Sequence, residues 1–252
     1  TRDPHWPSTD LIGPCQLAVK YLLRARWTGR PTARFPGNAW RYDVPSLGDN
    51  DTSVTGWMVT CLESAESAGL NVDPVAFVGA LAWIDLMTDP VNGRVGYDDK
   101  GGDSARIINL NDDWPVDRGE AMTAVALYCR TLLGQEPKNC PMMAKHVELM
   151  LKRLPRWSDA KTLKEMGWVE REFPAGSDLD MYYCYYGTKA MAAYGGNDRK
   201  QWKAAVLKIV DSTESSGSAT GSWDPNGPWA VKGGRVYSTS LMLSSLALVY
   251  AE

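Results

Sequence analysis

The chain has 252 residues, 44% of them hydrophobic and 23% charged, with a formal net charge of −3. That balance supports one large buried core and excludes a disordered chain. It gives no electrostatic case for nucleic acid or an anionic membrane surface, and no apolar run approaches the ~20 residues that span a bilayer.

The chain opens at Thr1 with a Pro-rich stretch, not a Met-initiated signal peptide. It reads as one domain over residues 1–252, cut from a longer protein or matured, and its localisation is not readable. The five cysteines (Cys15, Cys61, Cys129, Cys140 and Cys184) are scattered without CxxC spacing. Three sit in apolar helical segments, where a free thiol behaves as a small buried apolar group. An odd count without a motif argues against a disulfide framework.

In chain order, residues 14–27 predict an amphipathic helix with Leu17, Tyr21 and Arg24 on successive turns. A loop rich in Arg, Gly and Pro closes with Gly37-Asn38-Ala39-Trp40. Residues 51–70 predict a helix capped by Asp51, Thr52 or Ser53 and stopped by Gly69. A further helix over 73–87 has proline in its first turn. After a long loop, 117–134 repeats an acidic start, an apolar middle and a glycine stop. Residues 141–154 are amphipathic again, and 161–171 is the best place for an extra helix inside a loop.

The stretch Asp178–Gly196 is the most telling. Tyr182 shares a helix face with Tyr185 and Tyr186, and almost no turn is charged before Lys189. A helix with no solvated face belongs inside. Segments 199–213 and 235–252 complete the chain, joined by a Ser/Gly-rich loop ending in Gly221-Ser222-Trp223. The unit is thus an amphipathic helix, a long loop, an apolar helix and a short turn, four times over. No strand pattern competes. The expected fold is all-α: an α/α toroid of about four or more helical hairpins, with inner and outer helix layers.

These signals resemble the prenyltransferase and squalene-cyclase repeat. They are Gly37-Asn38-Ala39-Trp40 and Gly221-Ser222-Trp223 at loop ends, DTSVTGW at 51–57 and GGRVYSTSLMLSSLALVY at 233–250. The resemblance covers roughly residues 14–250 and is greater to bacterial repeat proteins without an assigned activity than to any enzyme branch. The glutamine that usually opens the cyclase repeat is missing before both tryptophans. Physically, glycine allows the tight turn and tryptophan plugs the gap between adjacent hairpins.

Each chemistry that the resemblance implies is incomplete. Cyclases of this type protonate an alkene with an aspartic acid in a DxDD motif; here Asp178-Leu179-Asp180 is followed by Met181. Asp178 and Asp180 are weak catalytic candidates, and capping of a helix start is the simpler account of them. A zinc held by Asp, Cys and His is not expected, because the chain has only His5 and His146. The GCGEQ-like sequence of thioester toroids is absent. The oxygen-rich stretches 98–103 and 109–114 do not follow the EF-hand order. No cofactor and no metal is expected.

Two functions remain. The first is a non-catalytic binding module that takes a protein or a glycan at the rim of the inner-helix starts. A small apolar ligand in the lumen is a further option. Rim candidates are Asp51, Trp57, Glu120, Tyr182, Tyr186, Arg235 and Tyr237, with Arg30, Arg34 and Arg41 in the adjacent loop. The second is an enzyme: terpenoid-cyclase-like with Asp180 as general acid, or carbohydrate-active with two rim carboxylates. A four-unit ring predicts a narrow lumen filled by Trp57 and the tyrosines of 182–186.

Overall fold

Caps and glycine stops divide the chain into helices much as their spacing predicts. In the computed structural model, residues 8–26, 38–42, 50–102, 119–167, 176–213 and 217–251 are described. They form α1 (Ser8–Ala25), α2 (Thr52–Ser67), α3 (Val75–Met87), α4 (Ala121–Leu132) and α5 (Pro141–Lys152). They continue with α6 (Ala160–Glu165), α7 (Met181–Tyr194), α8 (Gly196–Lys208) and α9 (Ala230–Tyr250). Among the described residues the extended structure is a single bridge between Thr88 and Val95. The fold is all-α.

The starts follow from local chemistry. Asp51 caps α2 by accepting the Val54 N–H at 2.7 Å, and Asp159 caps α6 through the Thr162 N–H at 2.7 Å. α6 falls inside the loop segment expected to hold an extra helix; residues 168–171 of that segment lie outside the described residues. At the ends, Gly69, Gly134 and Gly195 have positive φ, as the glycine stops require.

Two layers result. α2, α4, α7 and α9 form a row in which each packs on the next, and α4 against α7 is the most extensive contact. α1, α3, α5 and α8 lie outside this row, each against one or two inner helices. On α4, Ala124, Val125, Ala126 and Leu127 are all buried, so no side of this helix is wet. On α7 the buried set includes Met181, Tyr183, Cys184, Tyr186, Gly187 and Met191. The arrangement is compatible with an α/α toroid.

Close approach within and between layers depends on two small residues. A Cβ on Gly56 would lie 2.3 Å from Val125 Cγ1 on α4, and one on Gly187 2.2 Å from the Trp202 ring on α8. Both distances are far inside van der Waals contact, so these pairings require glycine.

The two loop-end tryptophans occupy matching places. Trp40 and Trp223 are both buried. The Trp40 indole N–H donates to Leu22 O in the last turn of α1, at 2.9 Å. The Trp223 indole N–H donates to Ile209 O just past α8, at 3.1 Å. Their backbone N–H groups reach Thr55 Oγ1 on α2 and Thr239 Oγ1 on α9, each at 3.3 Å. Each tryptophan therefore satisfies an orphan carbonyl at an outer-helix end and anchors to the following inner helix. In the third hairpin Tyr183 does similar work, donating its hydroxyl to Met150 O at the end of α5, 3.2 Å away.

Two expectations need correcting. Leu17 and Tyr21 are 64% and 52% exposed, while Val19 is buried and Leu22 and Leu23 pack against the core. The roll of α1 is set by Gln16, which pairs twice with the Asn71 backbone at 2.8 and 2.9 Å. Cys61 is exposed, although Cys129 and Cys184 are buried as expected.

His146 is fully buried on α5 and joins three elements. Its Nδ1–H donates to Gly93 O at 2.7 Å and its Nε2 accepts from Arg130 Nε at 3.2 Å. Arg130 also reaches Asp85 at 2.6 Å and Gln135 at 3.0 Å. Gly93 has φ 81° and sits against Lys145, where a Cβ would come within 2.5 Å of another carbon. Only glycine brings that carbonyl to the ring. Burial, with the facing guanidinium, lowers the His146 pKa to about 3. The unfolded chain binds this proton at about pH 6.5 and the folded one resists it. Stability from this site is complete above pH 6.5 and declines as pH falls toward 3, by up to about 1.4 kcal/mol per unit. Chemical denaturation between pH 4 and 7 is expected to give a shallower pH slope for His146→Gln than for the native chain.

Candidate functional site

The starts of all four inner helices converge on one cavity of about 520 Å³. Helical spacing explains who lines it. Ser53 and Trp57 face it from α2, Tyr182, Tyr185 and Tyr186 from α7, and Gly233, Tyr237 and Leu241 from α9, at intervals of three and four. Ala121 and Met122 of α4 complete the wall, and Tyr42 and Tyr97 come from loops. Above it, α9 is kinked at Gly234 (φ 65°, ψ −169°), so Trp229 and Lys232 at the first turn of α9 also face the cavity.

The walls are mostly aromatic and locked to one another. The Trp57 indole N–H donates to the Tyr182 hydroxyl at 3.1 Å, bridging α2 to α7. Tyr182 and Tyr186 lie 4.7 Å apart between centroids, Tyr185 and Tyr186 5.3 Å, and Tyr42 meets Trp57 edge-on at 6.3 Å. Trp57 is 37% exposed and Tyr42 64%, so the cavity is open along their edge. Burial pushes the phenols of Tyr182, Tyr186 and Tyr237 well above the usual tyrosine value, so these rings stay neutral. The lumen is therefore not filled by Trp57 and the tyrosines of 182–186; those residues line an empty space. Trp57 and Tyr182 meet from α2 and α7 through their hydrogen bond, and the other rings stand along the wall.

The polar rim candidates lie elsewhere. Asp51 is buried; beyond its capping bond it accepts from Ser53 Oγ at 2.7 Å and the Tyr97 hydroxyl at 3.2 Å, with Arg41 3.5 Å away. Burial raises its carboxyl pKa, and those bonds and Arg41 oppose the shift. Glu120, also buried, takes Arg94 (2.9 Å), Arg153 and the Thr123 hydroxyl (3.0 Å). Asp178 accepts from Arg156 Nε at 2.8 Å and from Ser158 Oγ at 2.7 Å, tying the segment after α5 to the start of α7. In the fourth hairpin the polarity is reversed: Arg235 on α9 bonds Ser222 at 2.9 Å and Asp224 in the preceding loop. These charges fasten long loops to inner-helix starts.

Asp180 caps α7, with Oδ1 accepting the N–H groups of Tyr182 and Tyr183 at 3.0 and 3.1 Å. It lines a second cavity of about 530 Å³, with Asp178, Arg153, Arg156, Tyr183 and Lys208. The first turn of α7 thus divides the two spaces, with Tyr182 facing the aromatic cavity and Tyr183 the polar one. Asp180 is not a lining residue of the aromatic cavity.

Among the described residues no three His, Cys, Asp or Glu side chains cluster as metal ligands would. His5, Arg30, Arg34 and the stretch 109–114 lie outside the described residues. No helix of the described residues is long and apolar enough to cross a membrane. Among the cavity residues that sequence reasoning missed, four stand out: Tyr42, Tyr97, Trp229 and Lys232. The first two are loop residues without periodicity. The others belong to a turn ahead of Gly233-Gly234, where the sequence reads as the end of a loop. Compared with protein-family models and with curated proteins, the chain finds no match.

Proposed function

We propose that the chain is a non-catalytic binding module of the prenyltransferase and squalene-cyclase-like toroid class, holding an apolar ligand in the aromatic cavity between its inner-helix starts. One observation carries this reading. The cavity is walled by neutral aromatic rings from α2, α7 and α9, with Ala121 and Met122 of α4 between them, while Asp51, Glu120, Asp178 and Asp180 are engaged in caps and ion pairs outside its lining. Concave, largely apolar sites with a few polar groups are the usual form of small-molecule sites.

The enzyme alternative would use Asp178 and Asp180, which share the second cavity. Their bonds to Arg156, Ser158 and the amides of Tyr182 and Tyr183 favour structural work over proton transfer. An acid or base must be within reach of the proton that it moves.

The test is titration with N-phenyl-1-naphthylamine, a neutral apolar fluorophore that brightens in dry sites. Saturable binding in the micromolar range is expected. Leu241→Trp, which places an indole in the cavity, should weaken it by at least about tenfold while thermal unfolding changes little. Absence of saturable binding, or binding indifferent to Leu241→Trp, would sink the proposal.

A further inference from the structure

The charge that lines the aromatic cavity is of one sign among the described residues, and this points to the kind of ligand. Lys232 is exposed, lines the mouth and makes no ion pair among the described residues. It is the only charged side chain in the lining among the described residues. Two more cations stand behind the wall. Lys189 Nζ lies 5.4 and 5.7 Å from the rings of Tyr185 and Tyr186 while sitting 4.3 Å from Tyr128. The Arg41 guanidinium lies 5.3 Å from the Tyr97 ring. Neither Lys189 nor Arg41 lines the space.

Aromatic boxes commonly take cations, because ring faces are electron-rich. Here three of the rings already meet a cation, and a second one inside the cavity would face a like charge through each ring. Among the described residues the lining holds no carboxylate, the usual second partner of a bound ammonium. An anionic group at the mouth meets Lys232, and the positive charge of Lys189 adds to it, while that of Arg41 is offset by Asp51 3.5 Å away.

Resting on the binding reading above, we propose that the cavity takes an amphipathic monoanion: an apolar or aromatic body among Trp57, Tyr182, Tyr186 and Tyr237, with a carboxylate or sulfonate group at Lys232. The body replaces water over the rings. The single acid group fixes the ligand's direction, head outward.

The probe is 8-anilino-1-naphthalenesulfonate, compared on the same chain with neutral N-phenyl-1-naphthylamine and cationic phenyltrimethylammonium. The sulfonate is expected to bind several-fold more tightly than the neutral arene, and the ammonium more weakly than both. Lys232→Met should lower sulfonate affinity about three- to fivefold relative to that of the neutral arene measured on the same variant, the scale of one exposed ion pair. Lys232→Glu should lower it further. The sulfonate's sensitivity to salt should shrink in both variants. Since Lys232 is exposed, neither change threatens folding.

If the neutral arene binds but the sulfonate gains nothing, or Lys232→Met leaves the sulfonate unaffected, the anion inference fails and the binding reading stands. Tighter binding of the ammonium overturns the inference in favour of a cation cage. If no probe binds, both readings fall.

Discussion

Glu120→Ala is expected to lower the unfolding free energy by about 3 kcal/mol, the largest loss from any single charge among the described residues. Glu120 is 2% exposed and sits just ahead of α4, the helix at the centre of the inner row. It gathers Arg94 from the loop after α3, Arg153 from the end of α5 and Thr123 from its own helix. Removing it leaves two guanidinium groups facing each other without their shared anion. That costs more than the ion pairs themselves contribute, because a charge out of water with no partner is worse than no charge at all. Arg94 and Arg153 keep about a quarter of their side chains in solvent, which places the loss at the low end of the range for buried pairs. The thermal midpoint should fall by roughly 6–12 °C. Glu120→Gln keeps an acceptor oxygen and should recover part of the loss. A midpoint within a degree or two of the native value for Glu120→Ala would show that the arginines find water freely and that the site is not an anchor.

The all-helical fold was legible because each inner helix carries its own punctuation. Asp51 before Thr52, Asp180 before Met181 and the glycines at 69, 134 and 195 are local signals, readable without knowing what packs where. The shared face of Tyr182, Tyr185 and Tyr186 follows from helical spacing alone, and it is the face that lines the cavity. The function of the acidic residues was not legible in the same way. Asp51, Glu120 and Asp178 read as a rim of helix starts, yet their partners Arg41, Arg94 and Arg156 are brought in by loops. A carboxylate's availability depends on those partners, and sequence spacing carries no trace of them. The same holds for the lumen. Whether aromatic rings fill a space or line it depends on how far apart the helices stand, here set by Gly56 against Val125 and Gly187 against Trp202. Lys232 escaped because its helical turn is detached from the rest of α9 by Gly234, whose left-handed backbone breaks the pattern that would have announced it.

The second large effect concerns the repeat itself. Trp40→Ala and Trp223→Ala should each lower stability by about 3–5 kcal/mol, through the cavity left where a buried indole was. The midpoint should fall by roughly 6–20 °C. Trp→Phe at either position retains most of the packing and removes one donor. The carbonyl that loses it, Leu22 O or Ile209 O, belongs to an outer-helix end, and the expected loss is about 1 kcal/mol beyond the smaller ring's packing deficit. The two sites are far apart in sequence but have the same bonds: an indole to the end of an outer helix and a backbone amide to a threonine of the next inner one. If they are copies of one structural device, the two Ala variants should lose comparable stability. Hydrogen exchange should then loosen first at the outer-helix end that each tryptophan caps, α1 for Trp40 and α8 for Trp223. If Trp→Phe were as damaging as Trp→Ala, the hydrogen bond would be the main contribution and the plug would not. If one site were neutral, the hairpins would not be energetic equivalents, whatever their sequences share.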